Sequence, residues 1–122
     1  MTKLFFNLHD ENEGIHRSLA DGVSTRIFPG EQAMLSVVKI EAESESSRHS
    51  HPEEQWGVLL EGSGIRVQDD VEYAVSAGDF WQTPGGVPHS FRAGEDGAVI
   101  IDIFSPPRAE YRKPGYGVVS ER

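Results

Sequence analysis

The chain has 122 residues, enough for one domain that buries a core without covalent staples. It contains no cysteine, which excludes disulfides and thiolate metal ligands, and carries a formal net charge of −9. That charge argues against nucleic acid or an anionic membrane surface as a partner. No apolar run approaches the length of a membrane span. The start, Met1 to Leu8, has one lysine and a short apolar run before the acidic Asp10-Glu11-Asn12-Glu13, a poor signal peptide. The expectation is a cytoplasmic protein.

Residues 1–23 read as an N-terminal arm with one short strand, in which His9 and His16 are solvated surface residues. Ser24 to Pro29 predicts a strand and Pro29-Gly30 a turn. Ala33 to Ile40 is β-rich and apolar on both faces for much of its length, which predicts a central strand, with Met34 in the core. Glu41 to Ser47 is a polar, acidic loop. A strand carrying His49 and His51 is expected next, then Gln55 to Leu60 and a turn at Gly62-Ser63-Gly64. Ile65 to Gln68 alternates cleanly, Asp69-Asp70 turns the chain, and Val71 to Val75 returns. After a turn at Ala77-Gly78-Asp79, Phe80 to Thr83 and His89 to Ala93 are expected to form a hairpin-like pair across the Pro84–Pro88 corner. Gly94 to Gly97 reads as another turn, and Ala98 to Phe104 as the most hydrophobic strand. Residues 33–105 would be the barrel core of a single domain spanning 1–122, and 106–122 an irregular tail. Trp56 and Trp81 suit the core or a dimer face, whereas Arg26, Arg66 and Arg92 suit the surface.

Two stretches carry chemistry. In Arg48-His49-Ser50-His51-Pro52-Glu53-Glu54-Gln55, an extended backbone puts both imidazoles on one face, and Pro52 favours a turn before a returning strand near Gln55. Neutral imidazole is a common metal ligand, so the pair is half a metal site or else a polar strand end. In Val99 to Arg108, Asp102 lies among β-branched hydrophobes, where an acid is expensive to bury unless paired or hydrogen-bonded. It shares a face with Phe104, and Arg108 follows the stiff Pro106-Pro107 pair. Spacing leaves two readings open: a general base with a carboxylate-gripping arginine, or a structural Asp102–Arg108 or Asp102–backbone interaction.

The first stretch, continued to Gly62, and the segment Gly78 to His89 together resemble the two cupin motifs. His49, His51, Gly62, Gly78, Pro84, Gly86 and His89 match; Gln55 stands at the glutamate position, and Ala93 where asparagine is expected. The resemblance implies an all-β, single-domain cupin, a double-stranded β-helix or jelly-roll barrel with a metal inside. Its ligands would be His49, His51, Gln55 and His89, with alternation turning Glu54 to the opposite face. A neutral amide in place of a carboxylate leaves the metal its full charge. These ligand types suit a divalent first-row metal, iron, manganese, nickel, cobalt or zinc.

The string from His49 to Gln55, the Pro84–His89 corner and the terminal Asp102-Ile103-Phe104-Ser105-Pro106-Pro107-Arg108 look like the KdgF family of small bacterial cupins, over roughly residues 33–112. That family opens the ring of 4,5-unsaturated uronates released by pectin or alginate lyases. The resemblance implies that Asp102 moves protons, Arg108 binds the uronate carboxylate and Phe104 packs on the ring. Glu53 departs from it, standing where a histidine is often found. A cupin dioxygenase, a sugar- or metal-sensing binding module and a lyase of small sulfonium acids are the alternative readings of the same residues. A homodimer, to which the N-terminal arm contributes, is expected.

Overall fold

In a computed structural model, residues 3–112 and 115–116 are described. Among the described residues there are eight strands: β1 (Ile15–Ala20), β2 (Val23–Pro29), β3 (Met34–Ile40), β4 (Glu54–Gln68), β5 (Val71–Ser76), β6 (Phe80–Thr83), β7 (His89–Ser105) and β8 (Gly115–Tyr116). They hydrogen-bond in the order β5-β4-β7-β3-β2-β1-β8, with β6 on the other edge of β4. The fold is all-β and antiparallel apart from the short β1–β8 pair. Among the described residues the one helical segment is a 3-10 turn, Ala109–Arg112, and no helix is long and apolar enough to cross a membrane. Residues 113–114 and 117–122 of the expected tail lie outside the described residues.

The predicted strands β2, β3, β5 and β6 are present, and β3 is central, between β2 and β7, as its two apolar faces require. Three expectations are corrected. The turns at Gly62–Gly64 and Gly94–Gly97 are bends inside single long strands, so the layers of the barrel are joined by β4 and β7 as well as by loops. Bulges between Leu59 and Glu61 and between Gly62 and Gly64 absorb the bend. Gly62 (φ 88°) is obligatory there, because a Cβ on it would sit 1.9 Å from the Gly97 carbonyl oxygen of the facing strand. Second, β6 and the start of β7 are not a hairpin pair. Each pairs with β4 instead, Thr83 opposite Gln55 and His89 opposite Gln68. Third, His49 and His51 lie outside any regular strand, held by one bridge between His49 and His89.

The arm packs on its own sheet. Arg26 Nη1 and Nη2 donate to the Asp10 and Leu8 carbonyls at 2.6 and 2.5 Å, and Phe6 packs on Phe28 with centroids 4.8 Å apart. Arg26 is thus a clasp for the arm. Met34 is fully buried, and His9, His16 and Arg92 are exposed, as expected.

Two apolar clusters fill the barrel. One contains Val23, Val38, Ile40, Leu59, Phe91, Ala93, Ala98 and Ile100; the other contains Ile27, Met34, Phe104 and Tyr111. Between them runs a cross-strand row, Ile27, Ser36, Asp102, Gly57 and Trp81, which brings polar groups into the interior. Buried Ser36 is hydrogen-bonded to Thr25.

Candidate metal centre

The segment 49–53 has no strand to hold it, so it is pinned to the corner before β7. His49 N donates to the His89 carbonyl at 3.1 Å, His89 N returns a bond of 2.9 Å, and Gly86 N donates to the His51 carbonyl at 2.8 Å. Gly85 must be glycine for this approach, since a Cβ would lie 2.2 Å from the Pro52 carbonyl oxygen. These contacts bring three imidazoles together, with centroids 4.4 Å (His49–His89), 5.0 Å (His51–His89) and 5.8 Å (His49–His51) apart. One ligand-competent atom from each lies within 4.8 Å of the others.

The ring nitrogens are sorted by the backbone. Nδ1 of His49, His51 and His89 face the carbonyls of Ser47, Glu53 and Val87 at 2.8, 3.0 and 2.8 Å. A proton on each Nδ1 serves these bonds and leaves each Nε2 as a bare acceptor. His89 Nε2 is buried and has no hydrogen-bond partner. Burial lowers His49 and His51 to a pKa of about 4 and His89 to about 2, so all three are neutral near pH 7. Three neutral imidazoles with converging lone pairs can bind a metal ion.

Gln55 and Glu54 separate as strand alternation requires. Gln55 is 3 % exposed and points inward, whereas Glu54 is exposed and accepts a bond from Trp56 Nε1 at 3.0 Å. Gln55 Oε1 lies 3.0 Å from His51 Nε2, and its side chain also hydrogen-bonds the Asp102 carboxyl. With the amide N–H turned to Asp102 and the His51 proton on Nδ1, the two facing atoms are both acceptors. A cation shared between them relieves that contact, so this donor set fits a metal.

Asp102 is half-buried as a residue, but its Oδ1 is sealed from solvent and has no hydrogen-bond partner. Desolvation raises its pKa, opposed by the Arg66 charge and by the Gln55 hydrogen bond. Phe104, on the same face, packs against His51 (5.4 Å) and Tyr111 (6.4 Å), wedged between the site and the second apolar cluster. Arg108 lies inside the barrel end. It is 2 % exposed, its guanidinium is 4.2 Å from the Tyr111 ring centroid, and its Nε is 3.8 Å from Glu53 Oε1. Buried Glu53 also approaches His51 Nδ1 at 3.5 Å, so this departure from the resemblance places a carboxylate between arginine and histidine.

Arg66 was expected at the surface and is buried, 5 % exposed. The β4 bulges reverse which residues point inward, and clean alternation within Ile65–Gln68 gives no hint of that reversal. Its Nη2 donates to Thr83 Oγ1 at 2.8 Å and its Nε to Gln68 Oε1 at 3.1 Å, while its guanidinium lies 5.3 Å from the Trp81 centroid. Burial lowers its pKa to about 10, and the Asp102 charge opposes that. Arg66 is thus a fixed cation near the three histidines and Asp102. The one signal for it in the sequence is the Gly62-Ser63-Gly64 run that permits the bulge.

Residues 36–104 match the cupin domain family model. Oxalate decarboxylase OxdC of Bacillus subtilis is 26 % identical over 111 residues, 85 % of this chain; the chain spans only 29 % of that protein's length. Among solved structures, KdgF from Halomonas sp. aligns with a TM-score of 0.78 at 24 % identity, over 89 % of this chain and 98 % of that one. An RmlC-like cupin from Shewanella frigidimarina NCIMB 400 aligns with a TM-score of 0.75 at 22 % identity, over 83 % and 91 %. These structural likenesses concern the fold, a jelly-roll barrel.

Proposed function

The chain belongs to the cupin domain family, and we propose that within it this protein is a metal-dependent sugar-acid isomerase or lyase-type enzyme that opens the ring of 4,5-unsaturated uronates. One observation carries the reading: a carboxyl group, Asp102, is buried with a raised pKa and a free Oδ1 beside an interior three-histidine group. A buried acid costs stability, and a site where it meets ligand-competent imidazoles is where such a cost is accepted for chemistry.

On this reading His49, His51, His89 and Gln55 hold a divalent first-row metal, which when bound acts as a Lewis acid on the sugar-ring oxygens. Manganese is one candidate, since a solved structure of the B. subtilis oxalate decarboxylase concerns its Mn(II) centres; iron, nickel, cobalt and zinc suit the same donors. Asp102 Oδ1 takes the proton from the anomeric hydroxyl as the ring C–O bond breaks. The enolate released is then protonated at carbon by the proton that Asp102 took up and becomes a ketone, so no hydrogen is gained or lost overall. Arg108 attracts the carboxylate from within the barrel end, and Phe104 supplies an apolar wall for the ring. The uronate class comes from the KdgF-like motifs of the sequence, with which the fold likeness agrees, and the oxalate decarboxylase likeness supports a small carboxylate substrate. The same reading takes the protein as a cytoplasmic homodimer.

The test is an absorbance assay in which metal-analysed protein meets lyase-generated unsaturated uronate and decay of the conjugated chromophore is followed. Acceleration lost with chelator and with Asp102→Asn supports the reading. No acceleration by metal-loaded protein removes it. Strict oxygen dependence of any turnover found would then indicate a dioxygenase, and saturable sugar binding without turnover a binding module.

A further inference from the structure

We propose that Trp81 reads a hydroxyl group of the bound sugar acid together with Asp102, across the gap that Gly57 leaves. Trp81 on β6 and Asp102 on β7 are the direct cross-strand neighbours of Gly57 on β4, one on each side. Both side chains lean over the glycine. A Cβ at position 57 would lie 2.5 Å from Trp81 Nε1 and 2.9 Å from Asp102 Oδ1, so glycine is what lets the two atoms converge.

Both atoms are buried, and neither has a hydrogen-bond partner. The contrast with Trp56 is informative, because its indole N–H is satisfied by Glu54 on the outer face. The Trp81 ring is held by stacking on Phe91, with centroids 6.1 Å apart at 25°, and by the Arg66 guanidinium. Its N–H direction is therefore fixed. An indole N–H only donates and a carboxylate only accepts, and the two are not bonded to each other, so a single group that both accepts and donates would satisfy them together. A hydroxyl accepts from Nε1–H and donates to Oδ1, and one such group satisfies both atoms. A site built this way disfavours an analogue lacking the hydroxyl, since binding it leaves two buried polar atoms unpaired.

This inference rests on the uronate reading, and the experiment separates the two. In zinc-loaded full-length protein, the two indole N–H resonances are assigned with Trp81→Phe, and galacturonate is titrated in as a non-reacting uronate. The Trp81 resonance should move saturably while that of Trp56 stays in place. Trp81→Phe keeps an aromatic ring on Phe91 and should retain metal and melting temperature, yet lose about tenfold in kcat/KM on the unsaturated uronate. Gly57→Ala should lose at least as much; if it does not fold, Trp81→Phe alone decides. Wild-type turnover with Trp81→Phe within twofold of it, or a Trp81 resonance unmoved at saturation, overturns the role of Trp81 and leaves the uronate reading intact. Absence of wild-type turnover sinks the uronate reading, and this inference with it.

Discussion

Gln55 Oε1 lies 3.0 Å from His51 Nε2 while the other end of the same amide hydrogen-bonds Asp102. One neutral side chain therefore links the three-histidine group to the buried acid. Gln55→Ala should weaken metal binding by about tenfold or more, measured by competition with a chromophoric chelator, and should leave Asp102 without its donor. Gln55→Glu should retain metal, because a carboxylate is a stronger ligand. It also sets a second negative charge beside Asp102, so turnover should fall even at full occupancy.

The histidines predict how the protein responds to acid. Each titrates lower in the folded chain than the ordinary 6.5, so between those values the unfolded chain binds protons that the folded chain does not. Stability from these groups is complete above about pH 6.5 and is lost as pH falls towards about 4 for His49 and His51 and about 2 for His89. Asp102 acts oppositely: its raised pKa favours the folded state at low pH and costs stability as pH rises. Three groups outweigh one between pH 4 and 6.5, so the melting temperature of chelator-treated protein should fall across that window. Metal affinity of the folded protein should stay flat from pH 7 to 5 and drop near 4, where His49 and His51 gain protons. Affinity that instead declines steadily from pH 6.5 would show imidazoles less buried than in this structure.

His89→Ala should reduce bound metal to a trace, because it removes the Nε2 that has no other partner. The backbone bridge to His49 survives the substitution, so the far-ultraviolet spectrum should be unchanged. Chelation of the wild type should lower its melting temperature, by the linkage that gives about 4 kcal/mol at a thousandfold excess of ligand over Kd.

Much of this site was legible because its residues obey local rules. Proline after the second histidine, alternation separating Gln55 from Glu54, and the Pro84–His89 corner all act within a few residues. Arg66 and the continuity of β4 and β7 were not legible, for one shared reason. A glycine with positive φ serves a turn and a bulge equally well, and the choice is made by the partner strand, here Gly97 against Gly62. Once the bulge is misread as a turn, the inward phase beyond it is lost, and a buried arginine passes for a surface one. The burial of Arg108 beside Glu53 was hidden differently, since it depends on Tyr111 closing over the guanidinium from the 3-10 turn.

Asp102→Asn separates chemistry from stability. Desolvation is the largest influence on this carboxyl, so an uncharged isostere removes an unfavourable term while keeping a group that Gln55 can bond. The variant should melt no lower than wild type at pH 7 and should keep its metal. Turnover of unsaturated uronate should fall by about 10²–10⁴-fold, the range for loss of a positioned acid–base group. A lower melting temperature with activity intact would make Asp102 a structural residue.

The outer face of the sheet carries the final prediction. Trp56 pairs with Ile103 across β4 and β7, and Val58 pairs with Phe80 across β4 and β6, all facing away from the barrel interior. Trp56, Phe80 and Ile103 are 43, 70 and 39 % exposed, a contiguous apolar strip on a chain whose net charge is −9. Such a strip on a stable protein is usually covered, and a second copy across a twofold axis would match it with itself. Light scattering after size exclusion should give twice the chain mass at micromolar concentration. Phe80→Glu places like charges against each other across that axis and should yield a monomer with its metal retained, because residue 80 points away from the histidines. A wild-type monomer would leave the strip without a partner of its own kind and end the homodimer proposal.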